Sequence, residues 1–585
     1  MNGTAAAMRS GKVSAVEIAQ TCLARAHDYD AIQPQTWISR FSDDAVLAQA
    51  REVDTRVAGG EDLPLAGVPF AIKDNLDAAG LDTTAACPVF AYAPDRDAEV
   101  VARLKAAGAI PIGKANLDQF ATGLTGTRSP YGAPGCVFDR ARIAGGSSSG
   151  PAVAVAAGIV AFALGSDTAG SGRVPAAFNG LIGLKPTRGR WSTRGLVPAC
   201  RSLDCVSVFA NTTADAQAVD AVLTAFDHAD PYSRPAPSTV AGEVRTLGVP
   251  RARDLVWFGD EQSERLFEAA VRALAANGLR LVEVDIAPLI ACGRLLYEGP
   301  WIAERAAALA PILKANPAAI HPVVRAIVQA GAGLSAVEAF EGLYALEGYK
   351  RAADALWAEV DALMLPTAPT IYRIAEVLAE PFALNANLGT YTNFVNLLDM
   401  AAVAAPAGFR ADGTGSGVSF IGPAWSEARL LALAQRHGGL ASAPPPPLDL
   451  APRPQTVRLA VVGAHLAGMP LNWQLAARDA RLVGAGRTEP TYRLFAMAGA
   501  APPKPALVHS ADGGSAIAVE VYELEMAAFG SFVAEVPPPL AIGTVHLETG
   551  EAVKGFVAEP RAIIGAREIT AFGGWRAFLE GVTER

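Results

Sequence analysis

Two glycine-rich loops carrying serines, and one lysine, are the residues of this chain whose types and spacing could do chemistry. The run 144-AGGSSSGP-151 holds Ser147, Ser148 and Ser149, and 163-ALGSDTAGSGR-173 holds Ser166 and Ser171 among Gly165, Gly170 and Gly172. A chain gives up that many side chains either for tight turns or to let backbone N–H groups crowd round a reacting atom. Gly146, Ser148 and Gly150 match the G-x-S-x-G pattern of a nucleophile elbow, but an elbow follows an apolar strand, and 136-CVFDRARIA-144 carries three charges. An elbow also needs a histidine base, and His27, His228, His321 and His437 sit in no Gly- or Ser-rich loop. Phosphate binding is disfavoured too: no GxxxxGK[ST] motif occurs, and 413-GTGSG-417 lacks the strand, helix and acidic partner of a dinucleotide site.

A serine nucleophile without histidine calls for another base, and Lys73 is the natural candidate. It ends the apolar run 68-VPFAIK-73, which would deliver its amine into a partly buried place. To accept a proton it must be neutral, so its pKa must fall from about 10.4 to about 7, a cost of roughly 4 to 5 kcal/mol that burial of a lysine can supply. Alone, Lys73 would be read as a strand-end lysine paired with Asp74. The two serine loops change that reading.

Lys73, GGSSSG, GSDTAGSGR and 183-GLKPTRGR-190 together resemble the amidase signature family, over about residues 10 to 440. The resemblance implies a Ser-Ser-Lys triad in which Ser171 is the nucleophile, Ser147 the bridging serine in a cis peptide, and Lys73 the base. The oxyanion would then be held by backbone N–H groups of Thr168, Ala169, Gly170 and Ser171. Ser148, Ser149, Asp167 and Arg173 are assigned to support, and Ser166 to local turn chemistry.

The stretch 296-LYEGPWIAERAA-307 bears on which amide is cut. Pro300 suits the first turn of a helix, which would place Arg305 on that helix and Tyr297 in the loop before it, so the two could converge on a small anion. The stretch is similar to the segment with which allophanate hydrolases hold the substrate carboxylate, as are 117-LDQFATGLTGTRSPYG-132 and 389-GTYTNFVNLLDMAAVAAP-406. That likeness implies allophanate, N-carboxyurea, as the small-molecule substrate, with Tyr297, Arg305 and Gly123 as binding residues.

These loops need a scaffold, and the sequence supplies one. The strands 68-VPFAIK-73, 109-AIPIGK-114 and 361-DALMLP-366 alternate with Ala-rich helical text such as 97-DAEVVARLKAAGA-109, which predicts an α/β domain, a mixed central sheet covered by helices. Ser14 and Glu17 are spaced as a capping box. The run 151-PAVAVAAGIVAFALG-165 reads as one buried helix, with Pro151 in its first turn and Ser149 or Gly150 at its cap. It is shorter than the roughly 20 residues that cross a bilayer.

Residues 441–456, ASAPPPPLDLAPRPQT, read as a semi-rigid spacer between a domain at 1–440 and a second at 457–585. The second is a small, sheet-centred α+β domain, with strand text at 457-VRLAVVGAH-465, 491-TYRLFAM-497 and 515-SAIAVEVYEL-524 and a Thr-Gly turn within 543-GTVHLETGEAVKGFV-557. The stretches 461-VVGAHLAGMPLNWQL-475 and 536-VPPPLAIGTVHLETGEAVKGF-556 resemble the C-terminal domain of allophanate hydrolases, similar in fold to gamma-glutamyl cyclotransferases. The resemblance implies that the first domain releases ammonia, leaving N-carboxycarbamate, and that the tail assists its decarboxylation. His465, in a Gly-flanked turn after a strand, is the candidate polar group there, although a purely structural histidine remains open and Trp473 stands where a more polar residue is expected.

Bulk properties narrow the rest. At 585 residues the chain exceeds one core, and 51% hydrophobic against 18% charged residues excludes disorder. A net charge of -9 gives no basic footprint for nucleic acid. Six cysteines without CxxC spacing read as reduced thiols, and the N-terminal text shows no targeting pattern, so a cytoplasmic protein is expected, with no cofactor, metal or membrane partner. A homodimer is expected. Two other readings stay open on the sequence: a different amidase of the same family, or a catalytically silent assembly protein with an amidase fold.

Overall fold

A computed structural model describes residues 5–238 except 6 and 9, residues 242–438 and residues 456–583. The spacer expected at 441–456 lies outside the described residues apart from Thr456. Contacts divide the chain into two compact units, within residues 1–450 and 451–585.

The first unit is built on a mixed sheet of eleven strands flanked by helices. The strand Pro69–Lys73 is wholly buried and lies between two parallel neighbours, Ile110–Ala115 and Phe162–Asp167. A strand buried on both faces has no polar alternation to show, which is why PFAIK reads as a continuous apolar run. Phe70 stacks on Phe162 with ring centroids 5.2 Å apart. Ile72, also fully buried, pairs in register with Leu164. Truncating Ile72 to Ala would cost about 2 to 5 kcal/mol. Lys73, one residue on, ends the strand beside the one that carries Ser166.

The helical text packs as its period predicts. Ser14 caps the helix Ala15–Asp30 through Glu17 in a full capping box. The helix Glu99–Ala106 buries Val100, Val101 and Leu104 against the sheet.

One expectation needs correcting: 151–165 is not a single helix. The helix runs Ser149–Ala156, Gly158 takes a left-handed φ of +68°, and Phe162–Asp167 is a sheet strand. Small apolar residues suit a buried helix and a buried strand alike, and the glycine turn between them decides. The helix cap is Ser148, one residue before the expected position, with Pro151 in the first turn.

The second unit holds a five-stranded sheet in the order Arg481–Arg487, Ala518–Glu525, Thr456–Val461, Ala552–Ala558, Leu540–His546. A three-stranded sheet, Pro505–His509, Tyr492–Ala496 and Arg567–Glu568, accompanies it. The Thr-Gly turn joins Leu540–His546 to Ala552–Ala558, with Gly550 at φ +84°. Among the described residues no single helix is long and apolar enough to cross a membrane.

Candidate active site

Lys73 is fully buried at the end of its strand, and its Nζ lies 2.7 Å from Ser147 Oγ and 2.8 Å from Ser166 Oγ. Asp74 is not its partner. That carboxylate turns to Lys114, 3.1 Å away, with both side chains fully buried. Among the described residues Lys73 has no ion pair, and burial pushes its amine down to about 7 against the opposing pull of Asp118, Asp167 and Asp204. A buried amine near neutrality can exchange a proton with a hydroxyl at physiological pH.

Ser147 follows Gly146 through a cis peptide bond. Gly146 is enclosed: a Cβ there would stand 2.1 Å from Asp118 Oδ2 and 2.5 Å from the Gly126 nitrogen. Ser171, also buried, donates to the carbonyl of Gly123 at 3.4 Å. It makes no hydrogen bond to Ser147 in this arrangement. The segment 123–124 ties the two serine loops together, since the Gly146 N–H donates to the Leu124 carbonyl at 2.8 Å.

The loop after Phe162–Asp167 is braced by a carboxylate. Asp167 accepts the N–H groups of Gly170 and Gly172, each at 2.9 Å, and both its oxygens meet the Arg173 guanidinium at 2.9 Å. Burial alone would raise the Asp167 carboxyl, but Arg173 and these donors hold it below its ordinary value. Arg173 is tied onward to the Thr392 carbonyl and to Asn396. The glycines now have causes: Gly170 at φ +139° approaches Thr392, Gly172 approaches Ser207, and Gly165 approaches Phe209.

This bracing bears on the four amides expected to form the oxyanion hole. The Gly170 N–H is engaged by Asp167, whereas the N–H groups of Thr168, Ala169 and Ser171 make no bond to it. Thr168 is fixed instead through its hydroxyl, 2.5 Å from Asp204 Oδ1. Ser166 is also corrected. It is a strand residue, and its hydroxyl accepts from Lys73 and from Asn75 at 3.1 Å. Ser148 supports the strand by donating to the Ser166 carbonyl at 3.1 Å. Ser149 Oγ is buried without a partner.

Sequence reasoning missed Asp118. Its carboxylate accepts three backbone N–H groups, from Thr125, Gly126 and Arg128, and its own N–H donates to the Ser147 carbonyl at 3.0 Å. The signal was present in 117-LDQFATGLTGTR-128, an acid at the head of a Gly/Thr-rich loop, which is the pattern of a carboxylate collecting turn amides.

Arg305 and Tyr297 do meet. Arg305 lies on the helix Trp301–Ala315 and is 1% exposed. Its guanidinium carbon is 5.5 Å from the Tyr297 ring centroid, and its Nη1 donates to Thr122 Oγ1 at 3.0 Å, one residue before Gly123. Pro300 caps that helix, but Tyr297 is not in the loop before it: it occupies the last turn of the preceding helix, Ala287–Glu298. No carboxylate pairs with Arg305 among the described residues, and its Nε has no partner.

In the tail, His465 Nε2 lies 2.8 Å from Gln474 Oε1, and the ring stacks on Phe556 at 4.9 Å. Burial lowers its pKa, and it lines a cavity of about 240 Å3 that also holds Lys504 and Glu535. Trp473 is 60% exposed and stands clear of this cavity.

A serine loop braced beside a second serine and a near-neutral buried lysine, on a mixed α/β sheet, defines an amidohydrolase. The chain belongs to the amidase family, which it matches over residues 17–431, and residues 457–580 match the allophanate hydrolase C-terminal domain. It is 44% identical over 583 residues to the urea amidolyase of Lachancea kluyveri, an alignment covering 94% of this chain and 31% of that protein. The chain therefore spans about a third of the length of that relative. The solved structure of an allophanate hydrolase from Kluyveromyces lactis superposes with a TM-score of 0.68 at 41% identity, covering 96% of this chain and 99% of that one. The solved structure of a peptide amidase from Stenotrophomonas maltophilia superposes with a TM-score of 0.64 at 26% identity, covering 76% of this chain and 96% of that one.

Proposed function

We propose that this chain hydrolyses allophanate to ammonia and N-carboxycarbamate through an acyl-enzyme on Ser171. The observation that carries the substrate reading is Arg305, a buried guanidinium with no carboxylate partner beside the loop that meets Ser171. An unpaired buried cation is costly, several kcal/mol after relaxation, and an anionic substrate relieves that cost where a neutral amide does not.

In this reading the neutral Lys73 amine takes the Ser147 proton while Ser147 takes that of Ser171. A rotation of the Ser171 hydroxyl away from the Gly123 carbonyl completes the relay. Ser171 Oγ bonds to the ureido carbon, and the carbonyl electron pair moves to oxygen, facing the N–H groups of Thr168, Ala169 and Ser171. Each such donor is worth about 2.7 to 4 kcal/mol in the transition state. Collapse breaks the bond to the terminal nitrogen, which leaves as ammonia with the proton returned through Ser147. Water repeats the sequence on the acyl group, releasing N-carboxycarbamate, which loses CO2. Arg305 and Tyr297 hold the carboxylate, and Gly123 presents its carbonyl to the bound amide. In the tail, His465 faces the cavity in which that decarboxylation would be assisted.

Arg305→Gln separates this from a general amidase. KM for allophanate is expected to rise about 10- to 100-fold, with KM for biuret, its neutral isostere, nearly unchanged. Equal effects on both would refute the carboxylate role.

A further inference from the structure

Arg128 is a second buried cation beside this site that nothing in the mechanism uses. It is 2% exposed, no carboxylate pairs with it among the described residues, and its Nε has no partner. Its two terminal nitrogens reach only main-chain carbonyls, Thr122 and Pro381, each at 2.9 Å. Arg305 meets the same residue from its hydroxyl, so two guanidinium groups converge on Thr122. Arg128 also lines, with Tyr297, a cavity of about 630 Å3 whose wall includes Asn385, and Asn385 Oδ1 in turn accepts the Leu124 N–H at 2.8 Å. Carbonyl dipoles satisfy hydrogen bonds, but they do not neutralise a charge. Two cations this close repel each other, and the arrangement is favourable when an anion sits between or beside them.

We propose that Arg128 is a second anion-recognition residue of this active site, acting with Arg305 on the carboxylate of small amides that arrive through the cavity it lines with Tyr297. This inference rests on the substrate reading only for the identity of the amide. The fork on Thr122 and Pro381 holds the guanidinium at the cavity wall, and the free Nε leaves it a donor for the carboxylate. It also explains why a cavity with so many apolar neighbours, among them Ile290, Ile302 and Phe382, keeps an unpaired arginine. Arg294 and Glu298 also line the cavity, and its apolar walls strengthen the field of each charge they border.

The test is calorimetric, on the full-length Ser171→Ala chain so that ligand is not consumed. Allophanate, oxamate and neutral biuret are titrated into it and into the same chain carrying Arg128→Gln or Arg128→Lys. Arg128→Gln is expected to weaken both anions about 10- to 100-fold and to flatten the dependence of Kd on salt. Arg128→Lys, which keeps the charge and loses the fork, is expected to recover most of the affinity. Biuret is expected to bind all three alike. Equal losses for Gln and Lys, or a parallel loss for biuret, would show that Arg128 only shapes the loop and would overturn the inference, as would unchanged anion binding. If the parent binds oxamate in an Arg128-dependent way but not allophanate, the substrate reading fails and the Arg128 inference stands. A parent that binds neither anion overturns both.

Discussion

Asp167 accepts the Gly170 N–H at 2.9 Å, so one amide of the Gly-rich loop is occupied by protein before any substrate arrives. The same carboxylate holds Gly172 and both edges of Arg173, which makes it the fixed point around which Thr168, Ala169 and Ser171 are arranged.

Asp167→Asn keeps the size and removes the charge. It leaves Arg173 buried without an ion pair, a loss of about 3 to 5 kcal/mol. Urea denaturation is expected to show that loss, and kcat is expected to fall more than about 100-fold, the scale of removing an oxyanion donor. A stable, active Asp167→Asn chain would mean the loop is held by something else.

Lys73 sets a pH dependence with a definite sign. Its amine is neutral above about 7, so kcat/KM should rise with pH through that value and level off above it. Stability follows from the same displacement. Between about 7 and the ordinary lysine value of 10.5 the unfolded chain binds a proton that the folded chain does not, so this residue makes stability rise with pH across that window. Lys73→Met should abolish turnover and remove that slope. A flat activity profile from pH 6 to 8 would place the base elsewhere.

Ser166 gives Lys73 a second hydroxyl at 2.8 Å, and a hydroxyl lone pair favours the ammonium form. Ser166→Ala should therefore shift the acid limb of kcat/KM to lower pH while retaining turnover, whereas Ser147→Ala should remove turnover. An unmoved limb in Ser166→Ala would reduce that contact to packing.

His465→Gln tests the tail within the intact chain. The burst of the first ammonia from allophanate should be unchanged, while CO2 release is expected to lag behind it. Identical time courses for wild type and variant would make His465 structural.

The main elements were legible because burial leaves a plain mark on sequence. PFAIK, AIPIGK and the Ser14 capping box are local signals, and they survived folding unchanged. The split of 151–165 was not legible, because Ala, Val, Ile and Phe serve a buried helix and a buried strand equally well, and Gly158 alone marks the turn. The site followed the same division. Lys73 ends an apolar strand and Ser147 and Ser171 sit in Gly-rich loops, but Asp74, the neighbour in sequence that suggests itself as the partner of Lys73, pairs with Lys114 on a neighbouring strand. Pairings across strands depend on register, which residue types do not state. Asp118, Asn75 and the occupied Gly170 N–H escaped for that reason: each acts through a backbone group or a residue distant in sequence.

The most direct test of the account is ammonia release by the purified chain given allophanate. The account predicts rapid release of ammonia from allophanate, little from acetamide, and none from the Ser171→Ala chain, whose melting temperature should stay close to that of the wild type. No ammonia from allophanate, or release that survives Ser171→Ala above about a hundredth of the wild-type rate, would contradict it.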